Sequence, residues 1–171
     1  TEEVLQTGDV RDNAPEITVK TIAKNLQKPW DITFLPDGTP IFTENKGQLS
    51  IIQNDAVKII SDIPEVNNQG EGGLMGLAVD PEFKTSKRIY LCYNTSTDVR
   101  VVSWKINDNF DGLFDSKNIV TGIDSNESGR HSGCRIMFGP DENLWIGTGD
   151  AAKTSNPQDV NSLAGKVLLV D

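Results

Sequence analysis

Apolar residues in this chain come in short runs broken by Gly, Pro, Asn and Asp. No window of about 11 residues sustains the 3.6-residue apolar period of an amphipathic helix, so the pattern predicts a mostly or entirely β protein. Early strands are expected over 17–22, 31–35, 41–44, 48–53 and 56–60, with turns at Pro36-Asp37-Gly38 and Asn45-Lys46-Gly47. Glycine in such turns accepts the positive φ that tight hairpins need. This stretch reads as an up-and-down meander.

One unit then recurs: an apolar strand, a proline followed by an acidic residue, a short turn, and a second strand carrying an aromatic. It appears as Phe34-Leu35-Pro36-Asp37 before Ile41-Phe42, as Val79-Asp80-Pro81-Glu82 before Ile89-Tyr90, and as Phe138-Gly139-Pro140-Asp141 before Leu144-Trp145. The prolines at 36, 81 and 140 are 45 and 59 residues apart. Repeats of about 50 residues with about four short strands each are the mark of β-propeller blades. A β-sandwich also strings short strands together but has no reason to repeat this unit three times. The fold expected is all-β, a propeller of four-stranded antiparallel blades. Residues 1–16, polar and punctuated by Gly8, Asn13 and Pro15, read as an arm or linker, and 17–171 as about three blades. Three blades do not close a ring, since known propellers have 4 to 8. The expectation is therefore a piece of a longer propeller, or a half that pairs with a second half such as another copy.

Charge narrows the partners. A formal net charge of −9 disfavours nucleic acid and anionic membrane surfaces, and no apolar stretch is long enough to span a bilayer. The acidic residues are a solubility device or a source of oxygen ligands for a hard cation such as calcium. Two cysteines, Cys92 and Cys134, are too few for a disulfide framework, and their apolar surroundings suit buried free thiols better than a pair. Asn94-Thr95-Ser96 and Asn126-Glu127-Ser128 match the glycosylation pattern, which also arises by chance.

Three segments could carry chemistry. Asn67 to Gly76, rich in glycine and amides and containing Glu71, either brings backbone close to a ligand or turns a tight corner. It lacks the lysine and helix of a phosphate loop. Gly129-Arg130-His131-Ser132-Gly133-Cys134-Arg135 holds the chain's only histidine. A histidine titrates near neutrality and suits a general base, although a single one is more often structural or solvated. Thr148-Gly149-Asp150-Ala151-Ala152 follows an aromatic strand and on its own is a turn.

Taken together and in order, these segments resemble the soluble quinoprotein glucose and aldose sugar dehydrogenases. The resemblance rests on Pro29-Trp30-Asp31, Gly70-Glu71-Gly72-Gly73-Leu74-Met75-Gly76, His131-Ser132-Gly133-Cys134-Arg135, Gly147-Thr148-Gly149-Asp150-Ala151 and Leu163-Ala164-Gly165-Lys166, and runs from about Leu26 to Asp171. It implies a six-bladed propeller holding pyrroloquinoline quinone (PQQ) and calcium near its axis, oxidising a sugar at C1 to the lactone and passing electrons to an external acceptor outside the cytoplasm. The family's general base falls on His131, with Glu71, Asp150 and Arg135 beside the cofactor. Cys134 departs from the family, replacing the second glycine of the histidine block, and Glu71 sets a carboxylate where glutamine is common, facing a cofactor with three carboxylates of its own. The family's cofactor-clamping cations and calcium ligands fall beyond Asp171. The competing reading is a propeller that binds a protein or carbohydrate without catalysis, because fold alone does not fix function.

Overall fold

The computed structural model describes residues 18–171, so the polar segment 1–16 lies outside the described residues. Three antiparallel sheets follow in chain order. The first is β1 (Pro29–Phe34), β2 (Pro40–Glu44), β3 (Gln48–Gln53) and β4 (Ala56–Asp62); the second is β5 (Leu74–Val79), β6 (Arg88–Asn94), β7 (Val99–Ile106) and β8 (Leu113–Ile123). The third comprises β9 (Gly133–Phe138), β10 (Leu144–Thr148) and β11 (Val167–Val170). Each sheet is a meander in sequence order, the strand arrangement of a propeller blade. All three copies of the Pro-acid unit join a blade's first strand to its second, and the copy at Pro81 adds a one-turn helix, α1 (Phe83–Ser86). Residues 18–22, expected as a strand, are irregular and have no partner strand. Ile22 and Leu26 instead lie beside Trp30, Ile32 and Phe42 on one face of the first blade.

The core is two clusters, one between each pair of neighbouring blades. Leu35, Ile41, Leu49 and Ile51 of the first blade pack with Leu74, Leu77, Ile89, Leu91 and Tyr93 of the second. From the opposite face of the second blade, Met75, Cys92, Val99 and Val101 meet Cys134, Ile136, Leu144 and Ile146 of the third. This explains why β5 and β6 are buried along most of their length, whereas exposure alternates along β1 and β11: the middle blade has a neighbour on each face. Truncating a residue such as Leu91 or Ile146, each fully buried, to alanine would cost about 2–5 kcal/mol. The outer faces of the end blades expose Trp30, Ile32, Phe34 and Ile59 on one side and Met137, Trp145, Val167 and Leu169 on the other.

The cysteines are a correction. Cys92 of β6 and Cys134 of β9 form a disulfide between the second and third blades, with Cα atoms 5.6 Å apart. Two thiols in apolar runs look like independent core residues in a sequence; the blade interface places them face to face. With the two cysteines 42 positions apart, the chain-entropy gain from the cross-link is roughly 4 kcal/mol.

A further regularity is invisible in the pattern of apolar residues. The first strand of every blade carries a β-bulge, with the extra residue at Trp30 in β1, Met75 in β5 and Cys134 in β9, each six positions ahead of the blade's Pro-acid turn. A bulge re-aims the side chains that follow it. Below the bulges, β5 packs between β1 and β9, and the three first strands line a shared cleft of about 530 Å³, the inner side of the arc.

Candidate functional site

The segment ahead of β9 is built on backbone-to-backbone packing that only glycine permits. A Cβ on Gly129 would lie 1.7 Å from the Gln69 carbonyl oxygen, and one on Gly149 would lie 1.7 Å from that of His131. The 69–73, 129–133 and 148–152 segments are therefore pressed together as one unit, and the three sequence motifs meet in space.

His131 sits at the centre of this unit with φ of +54°, a left-handed conformation uncommon for a residue with a side chain. Three contacts hold it there. Its backbone N–H donates to Glu71 Oε2 at 2.8 Å, its carbonyl accepts from the Ala151 N–H at 3.3 Å, and its ring Nδ1 lies 2.8 Å from Asp150 Oδ1. The ring is 47% exposed, so it faces solvent and not the apolar core. Asp150 is ordered in turn: Oδ1 also accepts the Ala152 N–H at 2.8 Å, and its carbonyl accepts from Asn156 Nδ2. The His131 ring, and after it the Ala152 N–H, hold the Asp150 carboxyl below the usual carboxylate range. A carboxylate only accepts hydrogen bonds, so Nδ1 carries a proton, and in the neutral ring Nε2 is the acceptor.

Glu71, expected beside the cofactor, contacts the histidine segment. Its carboxylate is committed to the backbone of His131, which accounts for an acidic group in this position. Arg135, two residues into β9 past Gly133, points into the cleft with its side chain 71% exposed and one guanidinium nitrogen 2.7 Å from Asp31 Oδ1. Asp31 has no place among the sequence candidates, yet it joins all three first strands. From β1 it accepts the Leu77 N–H of β5 at 3.1 Å and the Arg135 guanidinium of β9. Its place five positions ahead of Pro36, matching that of Arg135 ahead of Pro140, is the sequence signal for it. Asn126 and Asn156, which support Ala151 and Asp150, were also not anticipated. Asn94 of the first glycosylation pattern is buried, and Asn126 of the second has both ends of its amide engaged. Among the described residues no three His, Cys, Asp or Glu side chains converge as a metal-binding group.

Comparison with known proteins finds relatives over most of this chain. The aldose sugar dehydrogenase YliI of Escherichia coli is 27% identical over 160 residues, covering 89% of this chain and 43% of its own. Quinoprotein glucose dehydrogenase B of Acinetobacter calcoaceticus is 28% identical over 149 residues, covering 78% of this chain and 31% of its own. The structure of the PQQ-bound aldose sugar dehydrogenase of Streptomyces coelicolor superposes with a TM-score of 0.83 at 29% identity, over 88% of this chain and 46% of that one. The chain thus spans less than half the length of each of these relatives, and the blades it shares with them are β-propeller blades. The glucose/sorbosone dehydrogenase family model matches residues 26–171, from the irregular segment before β1 to the end of the third blade, and this chain belongs to that family.

Proposed function

We propose that this chain supplies three blades and the general base of a PQQ-dependent sugar dehydrogenase that oxidises an aldose at C1 to the lactone. The observation that carries the reading is the His131–Asp150 pair, oriented through Glu71, with the imidazole about half exposed. His131 Nε2 accepts the proton of the anomeric hydroxyl, and withdrawal of that proton makes the C1 hydrogen a better hydride donor. Asp150 fixes the ring tautomer and stabilises the imidazolium that results, a division of labour like that of the carboxylate and histidine in hydrolase triads.

The residues present fit the cofactor on this side of the axis. A tricarboxylate needs cationic partners, and Arg135 offers a guanidinium of which one nitrogen is bound to Asp31 while most of the side chain remains exposed. Glu71, with one oxygen occupied by the His131 N–H, is turned to positioning the base. When bound, PQQ supplies the two-electron acceptor. Calcium belongs to the proposal through the family alone and has no ligands assigned among the described residues.

Further blades on the exposed faces at Trp30 and Trp145 would complete the ring, either from the same polypeptide or from a second copy, with the former favoured because a two-fold copy would give two His131 residues about one axis. An extracytoplasmic location suits the disulfide, which persists in oxidising compartments. An external electron acceptor and a small sugar are the remaining partners. A non-catalytic binding propeller has no observation in its favour.

The test is reconstitution of the complete propeller with PQQ and calcium, followed by quinone absorption and aldose-dependent dye reduction. His131→Ala should retain the quinone spectrum and lose about 10²-fold in turnover. Wild-type turnover in that variant refutes the assignment.

A further inference from the structure

The Cys92–Cys134 disulfide sits where it can do more than join two blades. Cys134 is the bulge residue of β9, three positions after His131, with φ of +76°. As the extra residue it has no partner opposite it on β10, so the ladder does not fix it. At the equivalent position of the second blade, Met75 is held by burial in the core; in the third, Cys134 is just as buried and is in addition bonded to Cys92. The bond crosses β5 at Gly76, the cross-strand partner of Cys92, where a Cβ would lie 2.3 Å from the Cys134 carbonyl oxygen and 3.2 Å from Cys92 Cβ. Beneath the histidine segment, β9 is thus drawn onto β5 and stapled through to β6. On its two sides the chain has other holds: Gly133 pairs with Thr148 and lies against the Gly149 backbone, and Arg135 pairs with Gly147 and binds Asp31.

The geometry points to the Cys92–Cys134 disulfide as a positioning device for His131, one that sets the bulge of β9 and through it the placement of the ring against Asp150. The inference rests on His131 being the base. It accounts for a side chain at a left-handed position where glycine would be unstrained: the residue is there for its sulfur. Opening the bond with a small phosphine transfers two electrons to the disulfide, each sulfur takes a proton, and the phosphine becomes its oxide with oxygen from water. The bulge then loses its anchor while the two core clusters remain.

His131 is the only histidine in the chain, so its ring gives a single set of nitrogen and proton signals by NMR. The oxidised chain should show one tautomer, protonated at Nδ1. After reduction, and in the double variant Cys92→Ala/Cys134→Gly, where glycine adopts the positive φ freely, the ring should show mixed tautomers and exchange broadening with an unchanged far-ultraviolet β spectrum. In the complete enzyme both forms should lose about tenfold or more in kcat with KM for sugar and quinone binding little changed. Ring signals identical with and without the bond overturn the inference, and so does unfolding of both forms, which would make the bond a support of the fold alone. If the ring responds but no aldose is oxidised by any form, the dehydrogenase reading fails and the positioning inference stands.

Discussion

Substituting Gly149 with alanine tests whether the glycine packing positions the base. Gly149 has no positive φ, so the new methyl carries no backbone penalty, and its effect is purely one of space. The added Cβ would be 1.7 Å from the His131 carbonyl oxygen and 2.9 Å from the Gly133 nitrogen, both backbone atoms, whereas ordinary contact begins at 3.4 Å. The 148–152 and 129–133 segments must separate by more than an ångström, in the direction that pulls His131 Nδ1 away from Asp150. Overpacking of this kind costs about 1–3 kcal/mol, or about 2–10 °C in Tm for a chain of this size. Because a misplacement of about 1 Å at a reacting group can cost 10²-fold, kcat should fall by about that factor while quinone binding persists. Gly147→Ala is the control: two residues earlier in the same chain segment, its Cβ meets nothing nearer than 3.7 Å, and it should change both quantities little. Thermal melts and dye-reduction kinetics on the pair decide the matter. A folded Gly149→Ala protein with wild-type kcat would refute the claim that backbone contact places the histidine.

Asp150→Asn keeps the shape of the site but replaces the carboxylate; the ring should redistribute between tautomers, visible by nitrogen NMR, and turnover should drop by about 10-fold or more. As pH falls, the His131–Asp150 contact should persist below the usual carboxylate range, because the Asp150 pKa is depressed, and dissolve only when that lowered value is crossed. Asp31→Ala removes the acceptor shared by Leu77 and Arg135 and should destabilise the arc by about 1–3 kcal/mol in denaturant melts. At Asp98, burial raises the pKa, but hydrogen bonds from Arg100, the Gly122 N–H and Thr95 outweigh it and leave it lowered. Its contribution is therefore complete at neutral pH and lost on acidification through the depressed value, and Asp98→Asn should flatten the acid limb of the stability curve.

The three Pro-acid turns, the hairpin glycines and the short apolar runs determined the class of fold by themselves, since period-two alternation and turn chemistry are local properties that a sequence displays directly. They located β2, β3 and the start of β4 to the residue or nearly so. The same locality misled at 17–22, where apolar residues suggested a strand but residues 18–22 pack beside the first blade without joining its ladder. His131, Asp150, Glu71 and Arg135 stood out as motif residues, yet their roles depended on which segments meet. Only the tertiary structure assigned Glu71 to the backbone of His131, brought Asp31 across to Leu77 and Arg135, and turned two apolar-run cysteines into a bond between blades. Each of these contacts joins positions far apart in the chain, 42 to 104 residues, and is fixed by how blades stack and by bulges that shift side-chain direction by one place. Strand periodicity records which residues face inward; the partner each one meets there is decided by the packing of one blade on the next.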